Sequence, residues 1–157
     1  MTLGFSTTWP DGKTPTLFKE KILLPYDPAI CLQYPDMMPK IHTFRLGHRW
    51  RDGMRMHMVT GNRTPQRQQF NYFPGLGHCS LVQQARIFQF NDGGILIGVR
   101  YSASEDFRAL SENQMLLFAA NDGFNSLDEM TRWFFPKPPV GQKVLEGQII
   151  HWTNFCY

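Results

Sequence analysis

Residues 53–61 alternate in character: Met54, Met56 and Met58 fall on one face and Arg55, His57 and Val59 on the other, with Gly53 and Gly61 as bounds. A period of two between glycines predicts a half-buried strand. Residues 80–90 and 95–101 read as two further strands, joined through Asn91-Asp92-Gly93-Gly94. Those four residues tolerate the positive φ that a tight hairpin turn requires. A last strand is predicted over 143–153.

The period changes to three and four elsewhere. Thr14-Pro15 has the form of an N-cap followed by proline at the first helical position, and Leu17, Phe18, Lys21 and Ile22 repeat behind it, predicting a short helix over 15–23. Ser111 with Gln114, and Ser126 with Glu129, each form a capping box. The first opens a helix through Met115, Leu116, Leu117 and Phe118 to Gly123, a C′ glycine; the second opens one that Pro136 ends. Residues 25–39, with four prolines, read as a loop, as do residues 62–77, which are too polar for a core and too aromatic for a plain linker. The order of elements is that of an α+β fold, and a small mixed β-barrel with peripheral helices, closed by the terminal strand, accommodates it.

Composition narrows the class. A chain of 157 residues with 42% hydrophobic and 18% charged residues fits one domain over 1–157, its core over about 15–155. No apolar run approaches the roughly 20 residues that cross a bilayer, and the first five residues lack the pattern of a secretion signal, so no membrane partner and a cytoplasmic location are expected. Cys31, Cys79 and Cys156 are odd in number and far apart, which suits a reducing compartment. The five histidines show no ligand spacing, and His78-Cys79 would point to opposite sides of a strand, so neither a metal nor a cofactor is expected.

Charge is unevenly placed. Residues 40–67 hold Lys40, Arg45, Arg49, Arg51, Arg55, Arg63 and Arg67 against Asp52 alone, seven cations to one acid, so this segment carries +6 in a chain of net +3. Six of the seven are arginine, whose planar fork pairs two acceptors and stacks on π faces, so the segment reads either as a surface for a polyanion or a base, or as a solvated face. Trp50 can stack on a base or plug the core; Arg63, Gln66, Arg67, Gln68 and Gln69 can read base edges beside Tyr72 and Phe73, unless their loop is simply polar. His42 and His57 read as structural.

Within this segment Lys40, Thr43 and Arg45 can converge. Pro39 favours a turn over Lys40 to His42, and a strand from Thr43 places Thr43 and Arg45 on one face. A desolvated lysine beside another cation can be neutral enough to activate a threonine hydroxyl, and Arg45 supplies that cation. The missing carboxylate is best sought at Asp122, on the turn before Gly123-Phe124. A strand edge with a solvated lysine is the competing reading.

The string Lys40-Ile41-His42-Thr43-Phe44-Arg45, followed by Arg49-Trp50, Gly53 and an alternating strand, resembles the signature segment of ASCH domains, a branch of the PUA-like β-barrel superfamily. Asn121-Asp122-Gly123-Phe124 before a capped helix is similar to that family's helical insertion. The resemblance spans about residues 40–133 and implies a PUA-like barrel whose cleft takes nucleic acid, RNA favoured, or a nucleotide. A subset of the family with Lys-x-x-Thr-x-Arg acts as an amidohydrolase on acetylated cytidine. For this chain that subset implies Lys40 and Thr43 as the catalytic pair and Asp122 in place of the family's glutamate. Arg45, Arg49, Trp50, Arg55, Arg63, Arg67 and Tyr72 are the candidate ligand-binding residues. Met38 stands where the family has glycine, and the 62–77 loop is extra.

Overall fold

The computed structural model describes residues 1–137 and 141–157. Its first strand, β1 (Thr2–Phe5), lies in a stretch the sequence reading leaves unassigned. Two short helices follow, α1 (Phe18–Leu23) and α2 (Pro28–Gln33). Then come β2 (His42–Leu46), β3 (His57–Thr60), β4 (Gln68–Gln69), the hairpin β5 (Leu81–Gln89) and β6 (Ile95–Arg100), and β7 (Arg108–Ala109). Helices α3 (Glu112–Asn121) and α4 (Leu127–Phe134) precede the final strand, β8 (Lys143–His151). The class is α+β, and no helix among the described residues is long and apolar enough to cross a membrane.

The strands form two sheets. One has the order β1-β3-β4, with β1 parallel to β3; the other is antiparallel throughout in the order β2-β8-β5-β6-β7. The sheets communicate through backbone just before β3 and β5: Cys79 N–H donates to the Met54 carbonyl at 2.9 Å and Met56 N–H to the Gly77 carbonyl at 2.8 Å. On the far side β1 and β2 approach without strand pairing, and the Arg45 guanidinium donates to the Gly4 carbonyl at 2.6 Å across the gap. Lys40, Thr43 and Asp122 lie beside that gap.

Local chemistry explains most of the departures from the predicted elements. Thr14 does not cap a helix, because its hydroxyl and amide both bond the Asp11 carboxylate in a turn; α1 starts at Phe18, entered through Leu17 at φ 56°. Asp27 caps α2, accepting from the Ala29 amide, with Pro28 at the first position, so the 25–39 loop contains a helix. His42 belongs to β2, paired with His151, and not to a turn; Lys40 and Ile41 lead in with their amides on the carbonyls of Lys21 and Asn121. The 62–77 segment carries β4 and buries Phe70, Asn71 and Leu76. Its polarity is accommodated because the Asn71 amide bonds the Met56 and Leu76 carbonyls and accepts from the Met58 amide.

The core lies between the five-stranded sheet and the helices, and between the two sheets. Ile87, Ile97 and Ile149 are fully buried, as are Phe118 of α3 and Met130 of α4. Each such side chain contributes about 1.5–3 kcal/mol of burial. A second aromatic cluster joins α1 to α4: the Phe18 ring meets Phe124 at 5.6 Å and Trp133 at 5.6 Å. That cluster forms one wall of the cavity described next.

Candidate functional site

Helix α3 stops in a Schellman pattern that fixes Asp122. Gly123 N–H bonds the Ala120 carbonyl at 2.9 Å and Phe124 N–H the Ala119 carbonyl at 2.9 Å, with Gly123 at φ +90°. Only glycine takes that φ without strain. Space demands it too, since a Cβ there would stand 3.0 Å from Lys40 Cδ and 3.1 Å from Phe18 Cδ1.

Asp122 is 2% exposed and Lys40 is 2% exposed. The Lys40 ammonium donates both to the Asp122 carboxylate, at Oδ1, and to the Asp122 carbonyl. The other carboxylate oxygen accepts from the Phe44 amide at 3.1 Å, an amide on the edge of β2 away from β8. A carboxylate at a helix C-terminus opposes the helix dipole. Here two buried amines offset it, because Lys21 Nζ bonds the Gly123 carbonyl at 2.7 Å and Asn125 Oδ1 at 3.0 Å.

The cations outnumber the acid. Burial pushes the Lys40 amine down to about 8, against the pull of Asp122, and the nearby Arg45 and Lys21 charges push the same way as burial. Burial likewise lowers the Lys21 pKa. The Lys40 ammonium sits 4.9 Å from the Phe18 ring centre and 5.8 Å from that of Phe5, so apolar faces replace much of its hydration. Arg45 lies 5.2 Å from the Phe5 ring, and its Nε is buried with no partner among the described residues.

Lys40, Thr43, Arg45 and Asp122 line one cavity of about 40 Å³, walled by Phe5, Phe18 and Trp133. Thr43 is 3% exposed. A groove of about 250 Å³ adjoins this cavity, sharing Ser6 and Phe18 with it and lined further by Thr16, Thr60 and Gln68.

The other sequence candidates lie elsewhere. Arg49, Arg51, Arg55, Arg63 and Arg67 are exposed, and none forms an ion pair among the described residues. Arg49, Arg51 and Arg55 precede β3, whereas Arg63 and Arg67 flank the turn that leaves it. The two groups thus lie at opposite ends of β3, a four-residue strand of about 13 Å at about 3.3 Å per residue. Trp50 is buried, its amide and carbonyl both bonded by the Gln148 side chain, so its ring is a core plug with no face offered to solvent. Tyr72 is 75% exposed, outside the cavity.

Sequence reasoning missed Lys21 as a partner of the end of α3. Lys21 carried a signal, a cation on the apolar stripe of a predicted helix. Among the described residues no group of three or more His, Cys, Asp or Glu is arranged to hold a metal ion, and the three cysteines are free. Comparison with protein-family models, with curated proteins and with solved structures finds no match to this chain.

Proposed function

We propose that this chain is an ASCH-type, PUA-like barrel that takes a nucleobase-bearing ligand, a modified nucleoside or an unpaired base of RNA, at the Lys40–Asp122 cavity. The barrel reading is supported by the backbone bonds linking β3 to β5 and by Arg45 bridging β1 and β2. The observation that carries the functional reading is the convergence of Lys40, Thr43, Arg45 and Asp122 on one buried cavity. A buried amine with a lowered pKa, paired with a carboxylate and sharing a cavity with a hydroxyl, is the kind of arrangement that catalytic sites use.

Amide hydrolysis is the activity this geometry supports best. At about 40 Å³ the cavity admits a small group, since about 10–15 Å³ of such space holds one water. An acetyl carbonyl is of that order, and the adjoining groove of about 250 Å³ accommodates the ring it is attached to. In the proposed step neutral Lys40 takes the Thr43 proton as Thr43 Oγ bonds the acyl carbon. The carbon–nitrogen bond then breaks, the departing amine takes the proton back from Lys40, and water hydrolyses the acyl-threonine ester. With the amine near 8, the fraction of neutral Lys40, and with it turnover, rises from pH 6 to 9.

Incubation with acetylated cytidine tests the reading: product forms with the native chain and is lost in Thr43→Ala and in Lys40→Ala. Undiminished turnover in Thr43→Ala removes the nucleophile. Binding of RNA without turnover is the second reading, favoured by the five exposed arginines that form no ion pair among the described residues. Single-stranded oligonucleotides titrated at two salt concentrations then show an affinity falling steeply with salt, which a neutral nucleoside does not show.

A further inference from the structure

Next to the Lys40–Asp122 pair, on the face of β2 opposite to Thr43, lies a second buried polar group that the proposed chemistry does not use. The Tyr157 hydroxyl is 2.8 Å from His42 Nε2 and accepts from Asn121 Nδ2 at 3.0 Å. Both neighbours are buried, His42 at 0% and Asn121 at 8% exposure. His42 immediately precedes Thr43, and Asn121 immediately precedes Asp122.

Asn121 supplies an N–H to the Tyr157 oxygen, and the Tyr157 hydroxyl and His42 Nε2 share one further hydrogen bond whose donor is set by the His42 tautomer. Burial holds the His42 pKa well below its ordinary value, in keeping with a neutral ring. The Tyr157 ring is held independently of its hydroxyl: it packs on Phe118 at 5.4 Å and Phe155 at 4.9 Å, and its amide and carbonyl bond the Gln83 side chain.

One hydroxyl thus ties β2 to the end of α3. The side of the same two elements that faces the cavity is tied by Asp122, through Lys40 and the Phe44 amide, and by the Ile41 amide on the Asn121 carbonyl at 2.9 Å. We infer that Tyr157 is a positioning residue for the Lys40–Asp122 pair, clamping His42 and Asn121 so that the carboxylate keeps its register on the Lys40 amine and the β2 edge. The inference rests on reading that pair as the working part of the site.

Tyr157→Phe tests it, because the ring packing persists while the clamp is lost. The readout is the titration of the Lys40 amine in lysine-labelled protein, followed by heteronuclear NMR and assigned by its disappearance in Lys40→Arg. Asp122 is what holds this amine up against burial, so the titration midpoint falls by at least half a pH unit in Tyr157→Phe, and equally in Asn121→Ala, which opens the clamp from its other end. Tyr101→Phe is the control. Its hydroxyl bonds the carbonyl of Tyr157 at 3.1 Å and neither arm of the clamp, so it leaves the midpoint in place.

An unchanged midpoint in Tyr157→Phe, or an equal shift in Tyr101→Phe, overturns the inference and leaves Tyr157 as packing alone. No ligand enters this measurement. Should acetylcytidine and RNA assays both fail while the midpoint moves as expected, the functional reading falls and the clamp stands.

Discussion

Asp122→Asn keeps the shape of the side chain and removes its charge, leaving the Lys40 amine buried beside Arg45 and Lys21 with no acid in contact. In the native chain the amine lies near 8 against an ordinary 10.5. Two unit charges about 4 Å apart interact by about 4 kcal/mol at an effective dielectric of about 20, or about 3 pH units. Relaxation and water entry reduce that, so a fall of about 2 units, to near 6, is expected. A lysine whose folded pKa is depressed contributes its stability in full above the unfolded value, and that contribution is lost as pH falls toward the folded value. In the native chain the loss is complete near pH 8; in Asp122→Asn it continues to about pH 6. The stability gap between the two proteins therefore widens by about 3 kcal/mol between pH 8 and pH 6, at about 1.4 kcal/mol per unit. Denaturant unfolding of both proteins at pH 6, 7, 8 and 9 measures it directly. A gap constant across that range, or one that narrows toward acid, would falsify the assignment of Asp122 as the group that supports the buried amine.

His151 is fully buried with both ring nitrogens lacking partners among the described residues, and burial pushes it down to about 4 from 6.5. Stability is thus present above pH 6.5 and lost as pH falls to about 4, by about 3 kcal/mol, and acid unfolding of His151→Phe shows a correspondingly flatter profile. Gly123→Ala forces a side chain into φ +90° and against Lys40 Cδ at 3.0 Å, so denaturant unfolding registers a loss above about 1 kcal/mol. Asn71→Ala leaves the Met56 and Leu76 carbonyls and the Met58 amide without that partner, costing about 2–4 kcal/mol by the same measurement and speeding proteolysis within residues 62–77.

What could be read from the sequence was what local pattern controls. The hairpin of β5 and β6, the Ser111 capping box with Gln114, and Gly123 as the C′ residue of α3 depend on neighbours within four residues, and they stand in the structure where the pattern places them. The second box is half made: Ser126 accepts from the Glu129 amide, while the Glu129 carboxylate takes the Asn125 amide. Strand β1 was not legible, because four residues without a flanking turn signal gain their pairing from β3, more than fifty residues away. The burial of Asn71 was hidden for a similar reason, since its composition is that of a loop and only its three backbone partners make it a core residue. A turn over Lys40 to His42 is not what brings Lys40, Thr43 and Arg45 together: Lys40 lies just outside β2 and reaches for the end of α3.

That difference changes how the basic segment is understood. Its charge suggested a continuous surface, but its members divide by burial: Lys40 is enclosed, Arg45 is half-buried with an enclosed Nε, and the remaining five arginines are exposed at two separated places. Exposed cations are screened within about 10 Å at ordinary salt, so the arginines on either side of β3 act on a ligand independently and contribute to attraction more than to discrimination. Enclosed cations are hardly screened, and each must find an acceptor or lose its proton. Lys40 finds Asp122, Lys21 finds Gly123 and Asn125, and Arg45 finds Gly4 with one N–H left over. Arg45 and Lys40 line the same cavity, so an oxygen-bearing ligand of the proposed kind meets two cations there that are largely shielded from water. Under the proposed function, selectivity for what enters would reside in the size of that cavity and the groove beside it, and not in the number of positive charges along the chain.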